Sequence, residues 1–124
     1  RDPSAPAMMQ TAIARGRFME EIGASYFDAA EADNLFITGA FSLLHLLLGT
    51  SMQAVLDEMN LPTAVTDALV HDSGEFAPFL RLARHCEGFD GAGLRQASTE
   101  LHLPFDQLNR ALLTGVGFAD SLQA

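Results

Sequence analysis

The segment at residues 35–48 constrains the fold of this chain more than any other, because apolar residues would lie on every face of a helix there. Its apolar run at residues 43–48 is broken by His45 and is far too short to span a membrane. In a water-soluble protein such a helix must be surrounded by other helices. We therefore predict that residues 35–48 form the hydrophobic centre of the domain, with Asn34 as the N-cap.

Shorter amphipathic patterns predict the helices around that centre. Apolar residues recur at intervals of three and four in six further segments: 7–23, 52–59, 62–70, 76–88, 90–101 and 104–117. Thr50 and Gln53 resemble a capping box, and the last helix should end near Gly115 and Gly117. No segment shows the sustained two-residue alternation of a strand. We predict one all-α domain over residues 1–124, a compact orthogonal bundle of six or seven helices.

The net charge limits the kinds of partner that are expected, and the cysteine content indicates the cellular compartment. The net charge is −9, and the basic residues are seven arginines without a cluster, so neither a nucleic acid nor a membrane surface is an expected partner. The single cysteine, Cys86, excludes an internal disulfide and favours a reducing cytoplasm. The chain begins at Arg1 and shows no export signal, so we interpret it as a cytoplasmic piece of a longer protein.

The sequence contains one set of residues in the order of a known metal-binding pattern. His71-Asp72, with His45 before it and Asp120 after it, has the ligand order of a metal-dependent HD phosphohydrolase, which activates water for attack on phosphorus. The alternative is that His71 and Asp72 lie in an exposed loop that stops a helix before Gly74. His45 would then be a hydrogen-bonded histidine in the core or at its edge. With four histidines and 16 acidic residues, the order alone carries little weight.

Two sets of side chains near residue 85 suggest a function, but each also has a purely structural explanation. Cys86 could be a nucleophile beside His85, but consecutive helical residues diverge, and Glu87 is the only adjacent acid. We expect a buried, unreactive thiol. Arg81, Arg84 and His85 would form a small basic edge, which either contacts an acidic partner or is simply a solvated helix face.

Four stretches follow a recognisable pattern. Residues 35–44, LFITGAFSLL, have the form FLxGLxSLL, and residues 12–20, AIARGRFME, have the form ALxRARFxE. Residues 61–69 are similar to LPLSEEVxxAL, and the pairs at 111–112 and 118–119 are similar to a closing AL…WA. Together they resemble the HD-related output domain (HDOD) family, especially the version that follows EAL domains of the cyclic-di-GMP phosphodiesterase type.

The resemblance implies an HD-domain-like bundle with an emptied metal centre. Active HD proteins read FLxGLLHDIG in this segment, so the counterpart of their His-Asp pair is Ser42-Leu43. A hydroxyl and an isobutyl group cannot replace imidazole and carboxylate ligands, so no catalytic residue, metal site or cofactor is expected. The Ser42 hydroxyl should instead bond back to the preceding turn. His45 and Gly16, the latter in place of a helix-favouring alanine, depart from the family pattern without supplying a ligand.

The function implied is that of a non-enzymatic bacterial signal-transduction domain. It would act through contacts with other domains of its parent chain, such as an upstream EAL domain, and a homodimer is a further option. The chain would be the C-terminal portion of an HDOD domain. Two alternatives stay open: a metal-dependent phosphohydrolase using His45, His71, Asp72 and Asp120, and a structural dimerisation module.

Overall fold

The computed structural model describes residues 5–87, 95–96 and 99–122, and these residues form helices and no strand. Seven helices have defined bounds: α1 Ala5–Gly23, α2 Ala29–Phe41, α3 Leu44–Leu48, α4 Met52–Asp57, α5 Thr63–His71, α6 Ala77–Glu87 and α7 Phe105–Ser121. Residues 95–96 and 99–101 are also helical. The all-α prediction is confirmed. Most of the predicted helix at 90–101, including Asp90, lies outside the described residues.

Helix α1 is the central element, because α2 and α7 both pack closely against it. A Cβ atom on Gly39 of α2 would lie 2.5 Å from the Cα of Gly16. On the α7 side, a Cβ atom on Gly115 would lie 2.5 Å from the carbonyl oxygen of Ala14. The absence of side chains therefore lets α1 approach two neighbours closely. Gly16, which differs from the alanine of the pattern ALxRARFxE, is needed for the close approach of α1 and α2.

The hydrophobic core is built on α1 and α6. Phe18, Met19 and Ile22 of α1 are fully buried against Leu35 of α2. α6 and the residues next to it contribute further buried side chains: Phe76, Ala77, Phe79, Leu80, Leu82 and Ala83. Edge-on aromatic pairs extend this core towards the chain between α1 and α2, where Phe27 contacts the rings of Phe76 and Phe79 at centroid distances of 5.4 and 5.5 Å.

The predicted central helix at 35–48 is wrong in both its start and its extent. Asp28, not Asn34, is the N-cap, and its carboxylate accepts from the Glu31 amide at 2.9 Å. α2 ends at Phe41, and the separate helix α3 has no buried residue. Leu48 is 61% exposed. The N-terminal half of the apolar segment packs in the core, whereas the rest lies at the surface.

Two other helix ends differ from the predictions. Ser51, not Thr50, caps α4, because its hydroxyl accepts from the Ala54 amide at 3.2 Å, while the side chain of Gln53 bonds to Asp57. α7 continues through both glycines to Ser121. Gly115 lies on the face that packs against α1, whereas Gly117 is exposed. In the part of the chain that is described, no helix combines the length and the apolarity that crossing a membrane requires.

Candidate functional site

The polar centre of the fold is Arg15, which α1 carries on its buried face. Its side chain is 7% exposed. The Nε group donates to Oε2 of Glu87 at 2.7 Å, and a second guanidinium nitrogen donates to Oε1 of the same carboxylate. A third nitrogen donates to Oγ of Ser42 at 2.6 Å. One cation thus joins the ends of α2 and α6 to the middle of α1, with the two-pronged geometry that arginine forms with carboxylates.

Ser42 follows α2 directly and is 1% exposed. Its hydroxyl donates to the carbonyl oxygen of Gly39 at 2.6 Å while it accepts from Arg15. The predicted bond back to the preceding turn is confirmed. Because the hydroxyl uses its one proton on that carbonyl, a lone pair remains for the guanidinium. The side chain is therefore fully engaged within the protein.

Glu87 is the member of this network that the sequence interpretation missed. In the sequence it stands out only as an acid next to Cys86, yet it is the last residue of α6 and neutralises Arg15. A signal was present: Arg15 lies at helical spacing between Ala12 and Met19, both buried, so its charge faces the core. A buried guanidinium needs an acidic partner, although the spacing does not say which one.

The network changes the ionisation of two neighbours on α6. Partial burial, and then the positive charge of Arg15, lower the pKa of Arg84. Burial, and then the charge of Glu87, raise the pKa of the Cys86 thiol to about 11. The prediction that Cys86 is buried is met only in part, because the residue is half-buried. It remains protonated at neutral pH, which makes it a poor nucleophile.

A small apolar cavity borders the network. It has a volume of about 180 Å³, and Arg15 and Glu87 lie at its edge. The remaining lining residues come from α1, α6 and α7: Thr11, Ala14, Phe18, Ala83, Leu112 and Val116. Because Arg15 is already paired with Glu87, the cavity offers no uncompensated charge to a ligand.

The four residues of the phosphohydrolase alternative are not brought together. The Asp72 carboxylate accepts from Arg81 at 3.1 Å, whereas Asp120, near the end of α7, accepts from Gln10 of α1. Within residues 5–87, 95–96 and 99–122, no three His, Cys, Asp or Glu side chains are grouped in a way that could hold a metal ion. The hypothesised ligand set therefore has no geometric basis.

The two histidines of that alternative lie in different settings. His71 is the last residue of α5, and Asp72 follows it with φ 50°, so this pair forms the exposed end of a helix, as one of the two interpretations had it. His45 of α3 is partly buried. The prediction that it is hydrogen-bonded is wrong for Nδ1, which has no partner in the described part of the chain. The basic edge is partly neutralised, because Arg81 pairs with Asp72.

Comparisons with known proteins identify no relative: no family model, no curated protein and no solved structure matches this chain.

Proposed function

We propose that this chain is a non-enzymatic bacterial signal-transduction domain of the HDOD type, with an HD-like orthogonal arrangement of its helices. It acts in the cytoplasm through contacts with other domains of its parent chain or with partner proteins. The sequence patterns at residues 12–20 and 35–44 suggest the family, and through it a connection to cyclic-di-GMP signalling.

The environment of Ser42 carries the proposal. In the resemblance, Ser42-Leu43 occupies the place where active HD proteins hold metal ions. Here the Ser42 hydroxyl contacts the guanidinium of Arg15 at 2.6 Å, and that cation is paired with the carboxylate of Glu87. A metal ion at this place would meet a like charge in a poorly solvated site, which is unfavourable. The arrangement fits a structural junction better than a catalytic centre.

The contacts of Arg15 with α2 and α6 also support a role in transmitting a conformational change from one helix to another. Arg15 connects α1 to the ends of α2 and α6, so a partner that shifts one of these helices acts on the contacts of the other two. A helical module of this kind becomes a switch when a partner binds one packing arrangement more tightly than another. No substrate is required for that function.

The test uses the parent protein. The coding sequence upstream of Arg1 is determined, and where it encodes an EAL domain, cyclic-di-GMP hydrolysis is measured with and without the present domain. We expect removal of the domain to change kcat/KM at least threefold. An unchanged rate would favour the structural dimerisation module instead.

A second measurement addresses the phosphohydrolase alternative. The purified domain is analysed for bound Mn, Fe and Ni, and its hydrolysis of bis(p-nitrophenyl) phosphate is assayed. We expect neither a stoichiometric metal nor turnover. A stoichiometric metal together with hydrolysis, both lost in His71→Ala, would refute the non-enzymatic assignment.

A further inference from the structure

The outer face of α7 carries a continuous stripe of exposed residues. Asp106, Arg110, Leu113, Gly117 and Asp120 are all exposed and follow one another at intervals of four, three, four and three residues. This spacing places the five residues on one stripe of the helix, where a second helix lying alongside would meet all of them. The opposite face of α7, which contains Leu108 and Ala111, packs in the core.

The centre of this stripe is apolar and open. Leu113 is 73% exposed, and apart from the adjacent backbone of α7 itself, no atom of the described residues lies within 4 Å of the position that a Cβ atom on Gly117 would occupy. Glycine at an exposed helical position costs about 1 kcal/mol relative to alanine. Gly16, Gly39 and Gly115 are each explained by a close contact inside the fold, whereas Gly117 has no such contact. A partner helix that approaches from outside would explain it.

The charges of the stripe indicate what that partner is. Arg110 and Asp120 lie five residues before and five residues after residue 115, and they are separated by about 15 Å at the α-helical rise. In an antiparallel pair of α7 helices related by a two-fold axis, Arg110 of each copy faces Asp120 of the other. The same register places Leu113 of each copy over Gly117 of the other. Self-complementarity of this kind is what a two-fold interface requires.

We propose that the outer face of α7 is a two-fold interface between two copies of this chain. The contacts that Arg110 and Asp120 make within one copy leave both side chains able to pair with a second copy. Arg110 and Asp106 are 3.6 Å apart with both side chains at least 75% exposed, so this pair contributes little. Asp120 accepts from Gln10 through one carboxylate oxygen, and its other oxygen can accept from a second donor. The proposal is independent of the signalling role.

The first experiment measures self-association of the purified chain by sedimentation equilibrium. We expect a concentration-dependent dimer whose Kd rises at least tenfold in Leu113→Asp, because a charge would be placed in the apolar centre. The matched control is Leu48→Asp, which makes the same change at an exposed leucine of α3 and should leave the Kd unchanged. A chain that stays monomeric at all concentrations, or equal effects of both variants, would overturn the proposal.

A charge exchange tests the register itself. Arg110→Asp and Asp120→Arg should each weaken the dimer at least tenfold, because each places like charges opposite one another twice. The double variant should dimerise like the original chain, and an equimolar mixture of the two single variants should form heterodimers. Thermal unfolding of every variant checks that the fold is retained. A dimer that is insensitive to these exchanges, or one that the double variant does not restore, would refute the antiparallel α7 pair.

Discussion

Arg15 shows how one residue organises this fold. Burying a guanidinium is costly, and the cost is offset here by a carboxylate and a hydroxyl that come from two other elements. Both groups stand at the ends of helices. The network therefore ties the ends of α2 and α6 to α1, in addition to the contacts of the apolar core.

The first prediction concerns the carboxylate of this network. Glu87→Gln leaves the Arg15 charge without its acidic partner, so we expect the free energy of unfolding to fall by about 1–3 kcal/mol, less than for a fully buried pair because Glu87 is partly exposed. The matched control is Asp72→Asn, which breaks the exposed pair with Arg81 and should cost at most about 0.5 kcal/mol. Urea unfolding measures both. Equal losses in the free energy of unfolding would mean that the Arg15–Glu87 pair stabilises the fold no more than an exposed ion pair does.

The second prediction concerns Cys86. With its pKa at about 11, against an ordinary value near 9, its thiolate fraction at pH 8 is about 100-fold lower than that of an unperturbed thiol. We expect alkylation by iodoacetamide to be slower by a similar factor than alkylation of a short cysteine peptide, and the rate to keep rising up to about pH 11. A rate that reaches its plateau near pH 8 would contradict this. Mass spectrometry of timed samples gives the rates.

At the scale of the element, glycine decides how closely the helices approach. Helix propensity alone would favour alanine at residue 16, as in the pattern ALxRARFxE. A Cβ atom there would lie 2.6 Å from the carbonyl oxygen of Phe36, so α1 and α2 would have to separate. Packing therefore explains why glycine rather than alanine stands at residue 16.

The third prediction compares two glycines. We expect Gly16→Ala to destabilise the domain by about 1–3 kcal/mol, because the methyl group meets backbone rather than a flexible side chain. Gly117→Ala enters open space and should stabilise it by about 0.5–1 kcal/mol. Thermal or urea unfolding at low protein concentration measures both. Stabilisation by Gly16→Ala would show that α1 and α2 are less closely packed than described.

For the whole molecule, the excess of acidic groups gives stability a dependence on pH. Partial burial raises the pKa of Glu31, and the carboxylates of Glu75 and Asp28 raise it further. The folded state therefore binds this proton more tightly than the unfolded chain does. The resulting destabilisation is present above the folded pKa of Glu31 and disappears as the pH falls below its unfolded value, near 4.5.

The fourth prediction follows from the upward shift in the pKa of Glu31. Glu75→Gln removes one repelling carboxylate, so we expect a higher Tm at pH 7 and no difference from the original chain near pH 4. Glu58→Gln, at the exposed end of α4, makes the same change of charge away from Glu31 and serves as the control. Calorimetry across this pH range measures both variants. A gain in Tm that is equal at both pH values would show that the effect does not come from the ionisation of Glu31.

The sequence by itself determined the helical class and the approximate positions of most helices, because amphipathic spacing and the absence of strand alternation are local properties. It also determined the hydrogen bond from the Ser42 hydroxyl to the carbonyl oxygen of Gly39, because these residues are close in the chain. Only the tertiary structure decided that Glu87 pairs with Arg15, and that α1 rather than the apolar segment at residues 35–48 lies at the centre. Both outcomes depend on contacts between distant parts of the chain, and helical spacing shows which face is buried without naming its partner.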